Sequence, residues 1–248
     1  MHKNTDGIRW YSIDQSEDVA QLLVDEEVTG TVPVTAPMPD KDELTSDHTL
    51  VTPKQHKWVR RVVGALSYYA NTTRFDISYE VNRVAQYLQA PTLGTIKALK
   101  RILAYLAGTV DRALRVARVG TTDWQIYSDS DHAGDRQVNQ TRSVTGMLVM
   151  CNGMPVHWRS NKQPISSISS TAAEIYALAE TVRDANLRYW IAEEMDIIVK
   201  WPMEVFMDNS SCISFQQSTN PNTKLRCAGI CPQKWMTMGI VSKPLEPN

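Results

Sequence analysis

A chain of 248 residues with 42% hydrophobic and 21% charged residues has the composition of a globular protein, sized for one large domain or two small ones. No apolar stretch approaches the roughly 20 residues that cross a bilayer. The start, Met1-His-Lys-Asn-Thr-Asp, lacks the apolar core of a signal peptide, and four cysteines form no disulfide framework. An intracellular location, cytoplasmic or nuclear, without a membrane partner is therefore expected. The net charge of −1 conceals segmentation: residues 1–53 carry 3 Lys/Arg against 11 Asp/Glu, while residues 54–118 carry 12 against 3. The basic block is what a polyanion would seek.

In chain order, residues 12–24 read as a short helix, with Ser16 as N-cap and Glu17 and Asp18 in the first turn. Residues 28–53 hold Pro33, Pro37, Pro39 and Pro53 among scattered acids and read as a linker or extended arm. Three helices follow. Residues 55–70 set Val59, Val62, Val63, Leu66 and Tyr69 on one stripe, with Lys54, Lys57, Arg60 and Arg61 mostly elsewhere. Residues 76–89 repeat the pattern with Ile77, Val81, Val84 and Leu88, and Pro91 closes it. Residues 93–107 place Ile96, Leu99, Leu103 and Leu106 at helical spacing, leave Lys97, Lys100 and Arg101 outside, and end at Gly108, a good C′ residue.

The texture changes at Gly120. Residues 124–128, 144–150 and 154–159 read as strands, the last two joined by the turn pair Asn152-Gly153. Residues 170–195 form a long helix offering Ala173, Ala177, Val182, Ala185, Trp190 and Ile191 for packing. A strand at 203–207 and a short helix at 209–217 follow. The order β-β-β-α-β-α is mixed α/β, and the strand after the crossover helix can pair beside the first. That pairing brings Asp129 and Asp208 to one sheet edge, with Glu174 facing them from the first helix turns. Clustered carboxylates suit hard divalent cations, Mg²⁺ (or Mn²⁺), and a pair of such ions is a phosphodiester-cleaving device. Cys212, Cys227 and Cys231 make no zinc site by comparison: no His follows His157, and the spacing fits no common finger.

Five stretches then carry a resemblance: Tyr127-Ser-Asp-Ser-Asp-His-Ala-Gly, Thr141-Arg-Ser-Val-Thr-Gly, Val156-His-Trp-Arg-Ser-Asn-Lys-Gln-Pro, Ser169-Ser-Thr-Ala-Ala-Glu-Ile-Tyr-Ala-Leu and Met207-Asp-Asn. In this order and at these intervals, the segment from Ile126 to Thr223 resembles the ribonuclease H domain of a copia-type LTR-retrotransposon Pol polyprotein. Upstream, Val63-Gly-Ala-Leu-Ser-Tyr, Thr73-Arg-Phe-Asp-Ile-Ser-Tyr and Lys97-Ala-Leu-Lys-Arg-Ile-Leu resemble the thumb and connection region that ends the family's reverse transcriptase. The resemblance implies an α/β fold: a ribonuclease H-like mixed sheet with packed helices, C-terminally truncated and preceded by a small helical thumb/connection region. It divides the chain into an acidic N-terminal helix and Pro-rich linker (1–53), the basic helical region (54–119), the ribonuclease H-like domain (120–226) and a divergent tail (227–248). It also implies Mg²⁺-dependent hydrolysis of RNA in an RNA–DNA hybrid, with Asp129, Glu174 and Asp208 as metal ligands and catalytic acids. Asp131 lies nearby as a further oxygen donor, and Arg142 and Ser143 sit where the family orders the site or touches substrate. The hybrid would track Lys54, Lys57, Arg60, Arg61, Lys97, Lys100 and Arg101, and the remaining reverse transcriptase would be a partner.

Two departures stand out. The family's polymerase turn, Tyr-x-Asp-Asp, is absent, so no DNA synthesis is expected. After Lys224 the text reads Leu225-Arg-Cys-Ala-Gly-Ile-Cys-Pro, and the family's fourth acidic ligand would fall near Cys227 or Ile230. Neither is a hard oxygen donor. Pro232, Gly239 and Pro244 argue against a final helix. Impaired cleavage is the expectation, with two alternatives: a nucleic-acid-binding remnant without catalysis, or a non-functional transposon relic.

Overall fold

The basic block becomes helical because its apolar residues recur at three- and four-residue intervals and its two longest helices are capped by Thr52 and Thr92. In the computed structural model, which describes residues 2–3, 9–28, 32–38, 44, 47–117, 122–132, 142–200, 203–217 and 240–244, the chain divides into two compact units, Met1–Val116 and Ala117–Asn248.

In the first unit, β1 (His2–Lys3), β2 (Arg9–Ile13) and β3 (Leu114–Ala117) form a small sheet in that order. Helix α1 (Ser16–Asp25) is followed by α2 (Pro53–Thr72), a single 3₁₀ turn (Phe75–Ile77), α3 (Ser78–Ala85) and α4 (Leu93–Ala107). Thr52 starts α2 with a reciprocal cap: its hydroxyl accepts from the Gln55 N–H, and Gln55 Oε1 accepts from the Thr52 N–H at 2.9 Å. Val59, Val62, Val63 and Leu66 of α2 meet Leu99, Ile102 and Leu106 of α4 in the core.

Several expectations need correction here. Residues 12 and 13 belong to a strand, and Ser16 does not cap α1. Instead Asp14 accepts from the Ser16 N–H and hydroxyl, turning the chain into the helix. The segment 28–53 is no free arm: Leu44 is buried, and Val28, Val34 and Met38 pack against the same core as the basic helices. Its apolar residues outweigh its prolines once a surface is offered. Gly108 caps α4 with right-handed φ of −81°, so left-handed freedom is not its purpose. A Cβ there would lie 2.7 Å from the Cβ of Pro33, so close approach is.

The second unit is a five-stranded mixed sheet in the order β6-β5-β4-β7-β8. Strands β4 (Trp124–Asp131), β5 (Val144–Cys151) and β6 (Met154–Lys162) run antiparallel, and β7 (Met203–Met207) lies parallel to β4. The turn between β5 and β6 puts Asn152 at φ 52° and Gly153 at φ 75°, as the Asn-Gly pair predicts. Alternation along β4 turns Trp124, Ile126, Ser128 and Ser130 inward. Together with Met203, Val205 and Met207 they receive α5 (Ser170–Glu194), which approaches on small residues, Ala173, Ala177 and Ala185. Trp190 and Ile191, expected to pack, are 59% and 49% exposed. The buried stripe continues from Ala185 to Ala192, two turns on, and passes them by. Helix α6 (Ser210–Gln217) follows β7.

The expected α/β fold, a mixed sheet with packed helices, is therefore present, and one strand exceeds the expectation. Strand β8 (Ile240–Pro244), in the tail read as divergent, pairs parallel with β7 from Met203↔Ile240 to Met207↔Pro244. Cys227, Ile230 and Cys231 lie outside the described residues.

Candidate metal centre

Three elements deliver the acids. Pairing of β4 with β7 aligns Tyr127 with Phe206, whose rings stack at 5.2 Å. Two residues further along each strand stand Asp129 and Asp208, both exposed and on the sheet face of that aromatic pair. Glu174 is in the second turn of α5, which Ser169 starts by accepting from the Ala172 N–H at 3.1 Å. Oxygen atoms of Asp129, Glu174 and Asp208 all lie within 4.8 Å of one another. Sequence reasoning had named these three, and the fold brings all of them together. Asp131, one pleat beyond Asp129, does not join the group.

Glu174 is the unusual member. Its residue is only 6% exposed, the Ser130 N–H donates to its carboxylate, and its Oε2 has no hydrogen-bond partner. Burial first, then the neighbouring charges of Asp129 and Asp208, push its pKa up to about 8. A buried carboxylate with an orphaned oxygen facing two further carboxylates is electrostatically uncompensated by protein groups. The donors are hard oxygens, so the set fits a divalent cation such as Mg²⁺ or Mn²⁺.

The surroundings contain residues to which the sequence assigned no part in this centre. Gly146 pairs with Asp129 across β4 and β5, so no side chain from that neighbour covers the carboxylate's flank. Cys212 is fully buried behind Glu174, and burial together with the Glu174 charge pushes its thiol up to about 12. It is inert apolar filling there rather than a ligand. Gln163 is 1% exposed and tied to the start of α5. Gly146 and Gln163 both lie in stretches that carry the family resemblance, and Gly146 also stands opposite a strand-end acid.

Ser143 requires a correction. It is fully buried, and its hydroxyl meets His132 Nδ1 at 3.3 Å, so it is closed to a nucleic acid. The residue immediately precedes β5. Arg142 beside it is exposed. His157 sits among Asp184, Arg159 and Arg188; burial and then Arg188 hold its pKa below the usual value, so it belongs to a structural charge cluster.

The chain is similar to several known proteins. The retrovirus-related Pol polyprotein from transposon RE1 of Arabidopsis thaliana is 35% identical over 199 residues, 79% of this chain and 13% of the relative. An uncharacterized mitochondrial protein of the same plant is 34% identical over 172 residues, 69% of this chain and 70% of the relative. The chain belongs to the copia-type retrotransposon Pol family. This Pol-family chain spans 13% of the length of the RE1 polyprotein. No family model matches it. Among solved structures, LC11-RNase H1, isolated from compost, aligns with a TM-score of 0.35 at 18% identity, over 50% of this chain and 84% of that one.

The helical unit of the Pol-family chain carries the basic residues. Lys54, Lys57 and Arg60 on or beside the start of α2, and Lys97 and Lys100 on α4, are exposed. Arg101 is half-buried. Arg61 is exposed but already engaged, with Nη2 2.7 Å from Glu26 Oε1. Glu26 also accepts from the Trp58 indole N–H, so that aromatic is tied into the helical unit rather than held out for bases. No helix among the described residues is long and apolar enough to cross a membrane.

Proposed function

We propose that this chain is a ribonuclease H-type module of a retrotransposon reverse transcriptase that hydrolyses the RNA strand of RNA–DNA hybrids slowly. The observation that carries the reading is the convergence of Asp129, Glu174 and Asp208, with the buried Glu174 oxygen left without a partner. These three residues would hold Mg²⁺ or Mn²⁺. When bound, a pair of such ions activates a water and relieves charge on the leaving oxygen.

The chain's own residues set the conditions. Glu174 holds a proton up to a pH of about 8, because its neighbours are anionic and water is excluded, so it must shed that proton for the site to accept a cation. Asp129 and Asp208, exposed on adjacent strands, keep open the side from which a phosphodiester would arrive. The exposed cations of α2 and α4 support contact with phosphates that is independent of sequence. Discrimination of RNA from DNA would fall to the hybrid's shape and its 2′-hydroxyls.

Slow turnover follows from the donor count. Among the described residues no fourth carboxylate joins the cluster, and the position where the family would place one reads Cys227 or Ile230. That same feature favours a second reading, a module that binds hybrids without cutting them.

Incubation of the purified chain with an RNA–DNA hybrid in Mg²⁺ or Mn²⁺ tests both. Slow cleavage is expected, and Asp129→Asn should lower it about a thousandfold, the equivalent of roughly 4 kcal/mol of barrier. Hybrid binding with no turnover in either metal would select the second reading. Absence of both binding and turnover would overturn the proposal.

A further inference from the structure

Gln163 is among the most deeply enclosed polar side chains in the second unit and lies between β6 and the helix that carries Glu174. It is 1% exposed, directly after the last residue of β6, and its N–H donates to the Ser143 carbonyl at 2.8 Å. Its side-chain amide makes three further bonds. Nε2 donates to the Ala173 carbonyl at 3.0 Å and to Thr145 Oγ1 at 3.1 Å, while Oε1 accepts from the Ser167 hydroxyl at 3.1 Å. Both amide hydrogens and one acceptor lone pair are thus used without water.

The identity of the partners gives these bonds their meaning. Ala173 immediately precedes Glu174. Thr145 immediately precedes Gly146, the residue opposite Asp129. Ser167 belongs to the segment that leads into α5. One amide therefore joins the strand beside Asp129, the start of the helix that carries Glu174, and the approach to that helix. The carboxylates repel one another, and the contacts of α5 with the sheet core, through Ile175, Leu178 and Val182 besides its alanines, are apolar and non-directional. A directional tie is what fixes where Glu174 ends up.

We infer that Gln163 is a positioning residue for the acid cluster, holding Glu174 at the distance from Asp129 and Asp208 that a divalent cation requires. The inference rests on the reading of that cluster as a cation site. Supporting residues one bond removed from the ligands commonly change metal affinity tenfold or more, because ligand placement within a fraction of an ångström decides coordination.

The test is calorimetric titration of the full chain with Mn²⁺, with circular dichroism confirming that each variant is folded. Gln163→Met keeps the length and removes every side-chain hydrogen bond; Gln163→Glu keeps the acceptors and removes the donor. Both are expected to weaken Mn²⁺ binding about tenfold. Thr181→Val, which removes the buried bond from Thr181 Oγ1 to Ser128 Oγ, is the control for general loosening of the same unit and is expected to leave affinity within about twofold. Unaltered affinity in both Gln163 variants would overturn the inference, and so would equal weakening in Thr181→Val. If the Gln163 variants fail to fold, Ser167→Ala removes only the Oε1 partner; about threefold weakening supports the inference and unchanged affinity overturns it. An unmodified chain that binds no Mn²⁺ overturns the nuclease reading and this inference together, an outcome distinct from all the others.

Discussion

The two units each bury charge, and they treat it in opposite ways. In the helical unit Arg74, 2% exposed, holds Asp76 through paired bonds from Nε and Nη2, both 3.0 Å, and spends its remaining donors on the Thr109 carbonyl and hydroxyl. Asp76 also accepts from the Tyr105 hydroxyl at 2.8 Å and from Arg112 at 3.1 Å. Burial works against its charge, yet the Arg74 bonds, Tyr105 and Arg112 together hold its pKa below the usual carboxylate range. In the sheet unit Glu174 is buried where Asp76 is half-buried, faces two more acids and is pushed up to about 8. Desolvation opposes the charge in both places, yet one carboxylate is held anionic and the other protonated. The partners decide: a carboxylate among counter-ions keeps its charge, and one facing other carboxylates holds its proton.

The largest effect that would break this contrast is expected from Arg74→Met. Removing one member of a buried ion pair strands the other, and a loss of about 3–5 kcal/mol is expected in urea unfolding of the chain. A loss under 1 kcal/mol would mean that the network is incidental.

Glu174→Gln should act in the opposite sense in metal-free protein. The folded pKa lies above the unfolded value, so the protonated side chain's contribution is full below about pH 4.5, declines as pH rises and is gone beyond about 8. Wild-type stability should therefore fall between pH 5 and pH 9 in chelator, whereas Glu174→Gln should stay flat and exceed wild type at pH 9 by an amount on the order of a few kcal/mol. Asp76, with a lowered pKa, contributes stability that is lost instead as pH falls on the acid side. Parallel unfolding curves for wild type and Glu174→Gln at both pH values would remove the contrast.

Ser169→Ala sharpens the comparison at smaller scale. It removes the cap that starts α5, five residues before Glu174, and is expected to cost about 1 kcal/mol in urea unfolding. Smallest is Lys57→Ala on α2: hybrid affinity should drop less than tenfold, with the slope of log affinity against log salt reduced by about 1. An unchanged slope would remove Lys57 from the nucleic-acid surface.

Much of this was legible before any fold was seen. The alternation at 124–128, the Asn152-Gly153 turn and the stripes at 55–70 and 93–107 are local patterns, and local patterns fix local structure. The acids were legible because each ends or begins such an element. What escaped had no local signature. Leu44 and Met38 look like loop residues until α2 and α4 offer a surface. Strand β8, in a stretch with an unpromising composition, exists by pairing with β7. Ser143 looked accessible by motif and is enclosed by packing.

By itself the sequence determined the helices, most strands and the identity of three carboxylates, because propensity, periodicity and turn chemistry act over a few residues. Only the tertiary structure decided that those carboxylates meet within 4.8 Å, that Glu174 carries a proton up to about pH 8, and that Gln163 ties the helix start to the strand beside Asp129. Desolvation and charge–charge repulsion depend on which groups come together in space, and residues 129, 163, 174 and 208 become neighbours only when the sheet closes around α5.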